Sequence, residues 1–269
     1  VLKVSSVRET MLFFEEVLKN DLSLTNFVAS DFSILNGRLA QHYGIPDVEG
    51  MAFRKVTLPP DGRRGGVLTM ASVLKVTANG TTTSPVQRGA WVLERLLGTP
   101  PPKPMIDVEA VEPDIRGATT IREQLAKHRA LPECANCHAL IDPPGFALEN
   151  YDVIGGWRER YRSIGEGDPV ELNGRKQRYR HGKPVDSADK LLDGRAFRDI
   201  AEFKQALLSD KDQLARALAE KLLAYATGAP PTLAERPEID RIVGQVRDKN
   251  YGFRSLIHEV VRSSKFQSE

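Results

Sequence analysis

Cysteine is nearly absent from this chain of 269 residues, which contains only two. A framework of several disulfides is therefore excluded as the basis of the fold. No apolar run approaches the roughly 20 residues that a membrane-spanning helix needs, so we predict no membrane span in this chain. The N-terminus VLKVSSVRET lacks an initiator methionine and the regions of a signal peptide, and we expect a fragment or processed product of a longer protein.

An excess of one charge is also lacking. The 38 Lys and Arg residues nearly balance the 36 Asp and Glu residues, and no run of five or six like charges occurs. Nucleic acid and anionic membranes are bound through basic runs or patches, so we expect no nucleic acid partner. A chain of this length can bury a core, either as one large domain or as two smaller ones.

Both cysteines lie in one short motif, Cys134-Ala-Asn-Cys137-His138. The C-x-x-C-H spacing lets two thiols add to the two vinyl groups of one haem while the adjacent imidazole reaches the iron. We therefore predict one covalent haem c, held by Cys134 and Cys137, with His138 as an iron ligand. A zinc site would need two further ligands, and a thioredoxin-like redox pair would need a βαβ context. Both alternatives, and chance, stay open but less favoured.

The residues that follow the motif predict the surroundings of the haem. Nδ1 of His138 needs an acceptor, and we expect a backbone carbonyl near a tight turn at residues 142–145 to supply it. The indole of Trp157 and the guanidinium of Arg158 are candidate donors to the haem propionates. Five apolar residues are expected either to pack against the haem ring or to belong to the ordinary hydrophobic core. They are Leu140, Ile141, Phe146, Leu148 and Tyr151.

The second axial ligand of the iron is not decided by the sequence. All of the methionines precede the motif, at Met11, Met51, Met70 and Met105. We predict Met70 first, because GGVLTMASVLKV is a glycine-entered apolar segment able to lie against a flat ring. His258 on the last helix is second, and an open or water-bound site is third. His128, on the helix before the motif, is expected at the ring edge.

Helical spacing of apolar residues dominates the N-terminal part. We predict helices in RETMLFFEEVLKND and in SDFSILNGRLAQHYGI, the second with Ser30 or Asp31 as N-cap. A third predicted helix runs from about Pro85 to Gly98.

The C-terminal part is also predicted to be helical, with the exception of one β-hairpin. Thr120 and Glu123 have capping-box spacing, which predicts a helix that runs up to or into the motif and has the cysteines at its C-terminal side. A region rich in glycine, proline and charge follows, with a β-hairpin predicted around Asn173-Gly174. Residues 200–228 and 236–264 then predict two amphipathic helices, each with an interruption.

Three longer stretches resemble a known family. They are TSPVQRGAWVLERLLGTPPPKP, TTIREQLAKHRALPECANCHALIDPPGFALENYDVIGGWR, and KLLAYATG together with FRSLIHEVVRSSKF. They are similar to consecutive uncharacterised modules of large exported, cytochrome-c-containing proteins from planctomycetes and related bacteria. The N-terminal stretch DFSILNGRLAQHYGI resembles the module that precedes them. The resemblance implies a haem-c-binding region at Cys134, Cys137 and His138, and a parent protein that is periplasmic or otherwise exported. It implies no reaction.

These patterns together predict a mainly α fold in three parts. Residues 1–98 are an N-terminal helical module, and residues 99–118 are a Pro-rich connector. Residues 119–269 are a cytochrome-c-like haem module with a small loop or β-hairpin insertion and C-terminal helices.

The predicted function is a monohaem c-type cytochrome module that passes single electrons to a redox partner protein or to a neighbouring domain of a longer parent chain. One alternative is a c-type haem peroxidase-like enzyme module, for which His128-Arg129 is the one tempting distal pair. The other is a scaffold whose haem is structural and has no redox role.

Overall fold

The computed structural model of the protein describes residues 1–102, 120–128, 132–172 and 174–268. Within these ranges the chain is mainly α, with eleven helices and three small sheets, which confirms the predicted class at that level. No helix among these residues is long and apolar enough to cross a membrane. The predicted connector at 99–118 lies largely outside the described residues, and the three-part division stays a prediction.

The helices and strands follow one another in a simple order. The helices are α1 (Leu2–Lys19), α2 (Gly37–Tyr43), α3 (Ala71–Val76), α4 (Pro85–Trp91), α5 (Ile121–His128), α6 (Pro132–Phe146), α7 (Ile200–Leu208), α8 (Lys211–Thr227), α9 (Arg236–Asp248), α10 (Phe253–Val261) and α11 (Ser264–Gln267). The strands are β1 (Phe32–Leu35), β2 (Arg54–Thr57), β3 (Arg160–Ser163), β4 (Asp168–Leu172), β5 (Arg175–Pro184), β6 (Asp189–Lys190) and β7 (Ala196–Phe197).

The stretch SDFSILNGRLAQHYGI does not form the single helix that was predicted. Its first half is β1, which pairs antiparallel with β2 and is buried at all four positions. A short run buried on both faces has no strand-like alternation, so its periodicity does not distinguish it from a helix. Helix α2 begins later, and its N-cap is Asn36, whose Oδ1 accepts from the backbone N–H of Leu39 at 3.0 Å.

The helix predicted from Pro85 to Gly98 is confirmed, with one unexpected feature. Ser84 caps α4, since its Oγ accepts from the backbone N–H of Gln87 at 3.2 Å. The chain then continues through one π-helical turn, Val92–Leu96, hereafter the π turn. It ends at Gly98, whose φ of 66° lies in the left-handed region that favours glycine.

The helix predicted to lead into the cysteine motif is two helices. The capping box of α5 is confirmed, because Thr120 N–H donates to the Glu123 carboxylate at 3.0 Å and Glu123 N–H to Thr120 Oγ1 at 3.2 Å. Helix α6 then begins at Pro132, where a first-turn proline is favoured. The cysteines therefore lie in the N-terminal half of α6, and not at the C-terminal side of the preceding helix.

The tight turn expected at residues 142–145 is also wrong. These residues continue α6, so that Pro143 and Pro144 lie inside the helix. Each proline removes one helical donor, and the carbonyls of Ala139 and Leu140 lose their usual partners. The helix ends one residue after Gly145, so this cost is confined to its last turns.

The remaining predictions of secondary structure hold. Strands β4 and β5 form the predicted hairpin, with Leu172 opposite Arg175 and Gly174 at φ 71°. The interruptions divide residues 200–228 into α7 and α8 and residues 236–264 into α9 and α10.

Among the described residues the main hydrophobic core takes members from α1 to α10, including Phe13, Phe27, Met70, Tyr151, Phe203, Leu223 and Leu256. The loop after α1 is hydrogen-bonded to the loop before α10. Leu24 N–H donates to the Tyr251 carbonyl at 2.8 Å, and Phe253 N–H donates to the Leu22 carbonyl at 3.0 Å. The first and last parts of the described chain are thus joined through their backbones.

Candidate functional site at the cysteine motif

Helix α6 carries the three residues of the predicted haem site. Cys134, Cys137 and His138 are separated by three and four positions, and such residues share one face of an α-helix. Both cysteines are free thiols and half-buried, while His138 is only 8% exposed. The helix therefore presents two thiols and an imidazole on one side.

The imidazole of His138 is held by a carboxylate. Its Nδ1 lies 2.8 Å from Oδ1 of Asp142, one helical turn later, and Asp142 is fully buried. Nδ1 donates whenever this carboxylate is ionised, and in a neutral ring the lone pair then lies on Nε2. A histidine fixed in this tautomer by a second partner is the usual form of a metal ligand.

The expected partner of His138 was a backbone carbonyl, and the structure places a carboxylate there. The reason is the helical course of residues 142–145, which brings the side chain of Asp142 to the i+4 position. A turn at the same residues would have presented backbone instead.

The position of α6 is set by direct contact with the backbone of α4. A Cβ atom added to Gly89 would lie 1.7 Å from the carbonyl oxygen of Ile141, and one added to Gly145 would lie 1.9 Å from that of Pro85. Both separations are far shorter than any van der Waals contact. Only glycine fits at either position, and the two helices touch there without intervening side chains.

The chain that leaves α6 is held by Arg88, a fully buried residue of α4. Its guanidinium donates to the carbonyl oxygens of Leu148 and Tyr151, both at 2.8 Å, and of Asp152 at 2.9 Å. Burial lowers the pKa of Arg88 to about 10, which leaves it charged at neutral pH, and the buried Glu149 carboxylate lies 3.6 Å away. The role of Arg88 was not predicted from the sequence, although Arg88 lies on the helix face that carries Pro85 and continues to Val92.

Arg158, a predicted propionate donor, belongs to the same buried network. Its Nε donates to the Glu149 carbonyl at 2.9 Å, and its Nη2 to the Glu149 carboxylate at 3.0 Å and to Thr83 Oγ1 at 2.9 Å. Nε and Nη2 of this guanidinium thus have protein partners, and the propionate role of Arg158 stays a prediction.

Trp157, the other predicted donor, is placed differently. Its ring packs edge-on against Tyr151 with 5.3 Å between centroids, and the Arg63 guanidinium lies 4.6 Å above it. Its Nε1 is buried and has no hydrogen-bond acceptor among the described residues. The role of Trp157 as a donor to a haem propionate stays a prediction, and its indole N–H is a donor of the kind that this role requires.

The candidates for the second axial ligand lie in different surroundings. Met70 is 2% exposed in the main core, and its Sδ accepts from Thr10 Oγ1 at 3.5 Å. Helix α6 packs mainly on α4, the π turn, α5 and β6, and α3, which follows Met70, is not among these main neighbours in the described part of the chain. His258 is exposed on α10, and α5 ends at His128. Met105 lies outside the described residues. The identity of the second axial ligand of the iron stays a prediction.

A buried acidic group lies beside Met70. Glu9 of α1 accepts from Ser33 Oγ at 2.7 Å and from Tyr43 O–H at 2.6 Å, and the three side chains share with Met70 a cavity of about 10 Å³. Burial raises the pKa of Glu9 to about 7, although both hydrogen bonds and the nearby Arg64 lower it. The role of Glu9 was not predicted from the sequence, where its position on the inner face of α1 was the available signal.

Three family models match consecutive parts of the chain. Residues 2–45 match a family described as Protein of unknown function (DUF1592), residues 64–161 match Protein of unknown function (DUF1588), and residues 193–266 match Protein of unknown function (DUF1585). The cysteine motif lies within the second match. No curated protein and no solved structure matches the chain. These findings identify a mainly α protein built from three consecutive uncharacterised modules, which fits that part of the resemblance.

Proposed function

We propose that this protein is a monohaem c-type cytochrome module that passes single electrons to a partner protein or to a neighbouring domain. The observation that carries the proposal is the imidazole of His138, fixed at 2.8 Å by the buried Asp142 carboxylate on the same helix as two free thiols. When bound, the haem supplies one-electron chemistry at its iron.

The residues of α6 fit that group in distinct ways. Cys134 and Cys137 would hold it covalently, because their spacing suits the two vinyl groups. His138 would bind the iron through Nε2, and Asp142 keeps its ring in the required tautomer and orientation. The backbone contact between α4 and α6 holds these side chains on a rigid support.

The carboxylate partner also favours the alternative of a peroxidase-like enzyme module. A negatively charged carboxylate that accepts from Nδ1–H increases the basicity of the His138 ring. A more basic axial ligand suits a haem that activates a small oxidant. The distal pair suggested for such an enzyme, His128-Arg129, has its arginine outside the described residues, and this alternative ranks second.

We further propose that the parent protein is periplasmic or otherwise exported. This rests on the resemblance of the sequence to exported cytochrome-c-containing proteins. A fusion of the parent's own N-terminal region to a reporter enzyme that is active only in the periplasm would test it, and an inactive reporter would contradict it.

The test of the haem proposal is expression in the periplasm of a bacterium with a working cytochrome c maturation system. We expect the protein to keep haem under denaturing electrophoresis and to show the added mass of one haem. Cys134→Ala and Cys137→Ala should cut the haem yield, and His138→Ala should change the absorption spectrum. The matched control is His181→Ala on the exposed surface of β5, which should change neither.

The same preparation separates the three readings of the site. A colourless product from the maturing host would overturn the haem proposal. A haem that takes up and releases one electron reversibly in a redox titration supports the cytochrome reading, and one that does not supports a structural haem. Rapid cyanide or carbon monoxide binding by the unmutated protein would favour the peroxidase-like module.

A further inference from the structure

A second candidate site is a cavity of about 310 Å³ between α1, the π turn and α8. Its walls are mainly apolar and include Phe14, Phe27, Trp91, Leu96, Leu214 and Leu218. The polar side chains in its lining are Thr10 and Arg95. No residue of the cysteine motif takes part, so the cavity is separate from the site proposed above.

The cavity is partly open to solvent, and it is too large to be a packing defect. Gaps between packed side chains rarely exceed a water molecule, whereas this cavity has room for roughly ten. Ligand pockets begin at about 300 Å³ and are lined mainly by apolar and aromatic side chains, with a few polar groups that set the orientation. The apolar walls offer water few hydrogen-bond partners, so an apolar group is the better occupant.

The π turn supplies the second observation. Single π-helical turns are rare and are found frequently at functional sites. Here the turn and the residue before it bring Trp91, Arg95 and Leu96 into the lining. The Arg95 side chain is 59% exposed and 3.2 Å from the exposed carboxylate of Glu94. Arg95 therefore lies at the open side of the cavity, with its charge accessible to a ligand.

We propose that the cavity binds a small amphipathic carboxylate. Its alkyl or aromatic body would lie against Phe14, Trp91 and Leu218, and its carboxylate would pair with Arg95. The guanidinium matches a carboxylate in charge and in the geometry of its donors. This proposal does not rest on the haem, since none of these residues belongs to the cysteine motif.

Isothermal titration calorimetry of the full chain tests it, with decanoate as the probe and decanol as its neutral counterpart. A methylene group takes up slightly less room than a water molecule, so a chain of this size suits the cavity. We expect decanoate to bind at one site and more tightly than decanol. Arg95→Gln should weaken decanoate by roughly five- to tenfold, the value of a charged hydrogen bond reduced by exposure, and should leave decanol within about twofold.

Two further variants and one control complete the test. Val73→Phe and Leu218→Phe add volume at two half-buried positions of the lining and should weaken both ligands together. Arg38→Gln on the exposed surface of α2 is the matched control and should change neither. No decanoate binding to the unmutated protein would overturn the proposal. Equal binding of both ligands, with no effect of Arg95→Gln, would overturn the carboxylate assignment.

Discussion

At the scale of single residues, Asp142 would act on the proposed haem through the ring of His138. If the haem is bound as proposed, the buried carboxylate would favour the more positive, oxidised iron through the ring of His138. We expect Asp142→Asn to raise the reduction potential by about 60 mV, which corresponds to about 1.4 kcal/mol for a one-electron couple. Spectroelectrochemical titration of the haem-loaded protein measures this.

The control for that experiment is Asp193→Asn, which removes a carboxylate from an exposed turn. It should leave the potential unchanged. An unchanged potential in Asp142→Asn, with the haem still attached, would contradict the role of Asp142 without touching the haem assignment.

Glu9 predicts a specific dependence of stability on pH. Its pKa is about 7 in the folded protein and near 4.5 in the unfolded chain, so the folded state holds the proton more tightly. The free energy of unfolding therefore falls as pH rises from about 4.5 to 7, by up to about 3 kcal/mol from this group. We expect Glu9→Gln to remove most of that slope, as measured by urea unfolding across this range.

The matched control is Glu166→Gln, at an exposed position in the loop before β4. Its pH slope should equal that of the unmutated protein. An unchanged slope in Glu9→Gln would show that this carboxyl titrates alike in the folded and unfolded states.

Residue roles were predictable only where the pattern is local. The C-x-x-C-H spacing is contained in five residues, and the helix turns it directly into a shared face. Asp142 lay in the segment where a partner of His138 was expected. Because that segment is helical and not a turn, the side chain of Asp142 is the acceptor, and not a backbone carbonyl. The partners of Arg88 and Glu9 come from distant parts of the sequence, and no spacing rule encodes such contacts.

At the scale of the elements, the contact between α4 and α6 is the most constrained. A methyl group at Gly89 would meet the Ile141 carbonyl at 1.7 Å, and backbone cannot move aside as a side chain can. We expect Gly89→Ala to cost about 3 kcal/mol in the free energy of unfolding and to lower the haem yield, because it separates α6 from its support. Denaturant unfolding measures the first effect and haem staining the second.

Gly244 in α9 is the matched control, since a Cβ there meets nothing within 4 Å. Gly244→Ala should stabilise the protein by up to about 1 kcal/mol through helix propensity. Equal stability of Gly89→Ala and the unmutated protein would contradict the close approach of α4 and α6.

Element boundaries were predictable where the caps are local. Pro85 at the start of α4, the capping box of Thr120 and the hairpin at Gly174 follow from short patterns with clear physical causes. Strand β1 was misread because tertiary burial removes its alternation, and α6 because prolines usually end helices. In both cases long-range packing decided the outcome.

At the scale of the whole molecule, residues 1–98 share their core with the C-terminal helices. Phe27 packs edge-on against Phe253 at 5.1 Å, and Leu24 pairs with Tyr251 through the backbone. We expect residues 1–98 expressed alone to show no cooperative unfolding transition by circular dichroism. A cooperative transition in this fragment would show instead that residues 1–98 fold independently.

The backbone pairing of residues 22–24 with residues 251–253 also determines the order in which a newly made chain completes its fold. A ribosome releases the N-terminal end first, yet that end lacks its partners until nearly all of the chain has emerged. During that interval Cys134 and Cys137 are already synthesised, while Leu22 and Leu24 still lack their backbone partners Phe253 and Tyr251. An enzyme that modified these thiols during that interval would act on a chain whose main core had not yet closed.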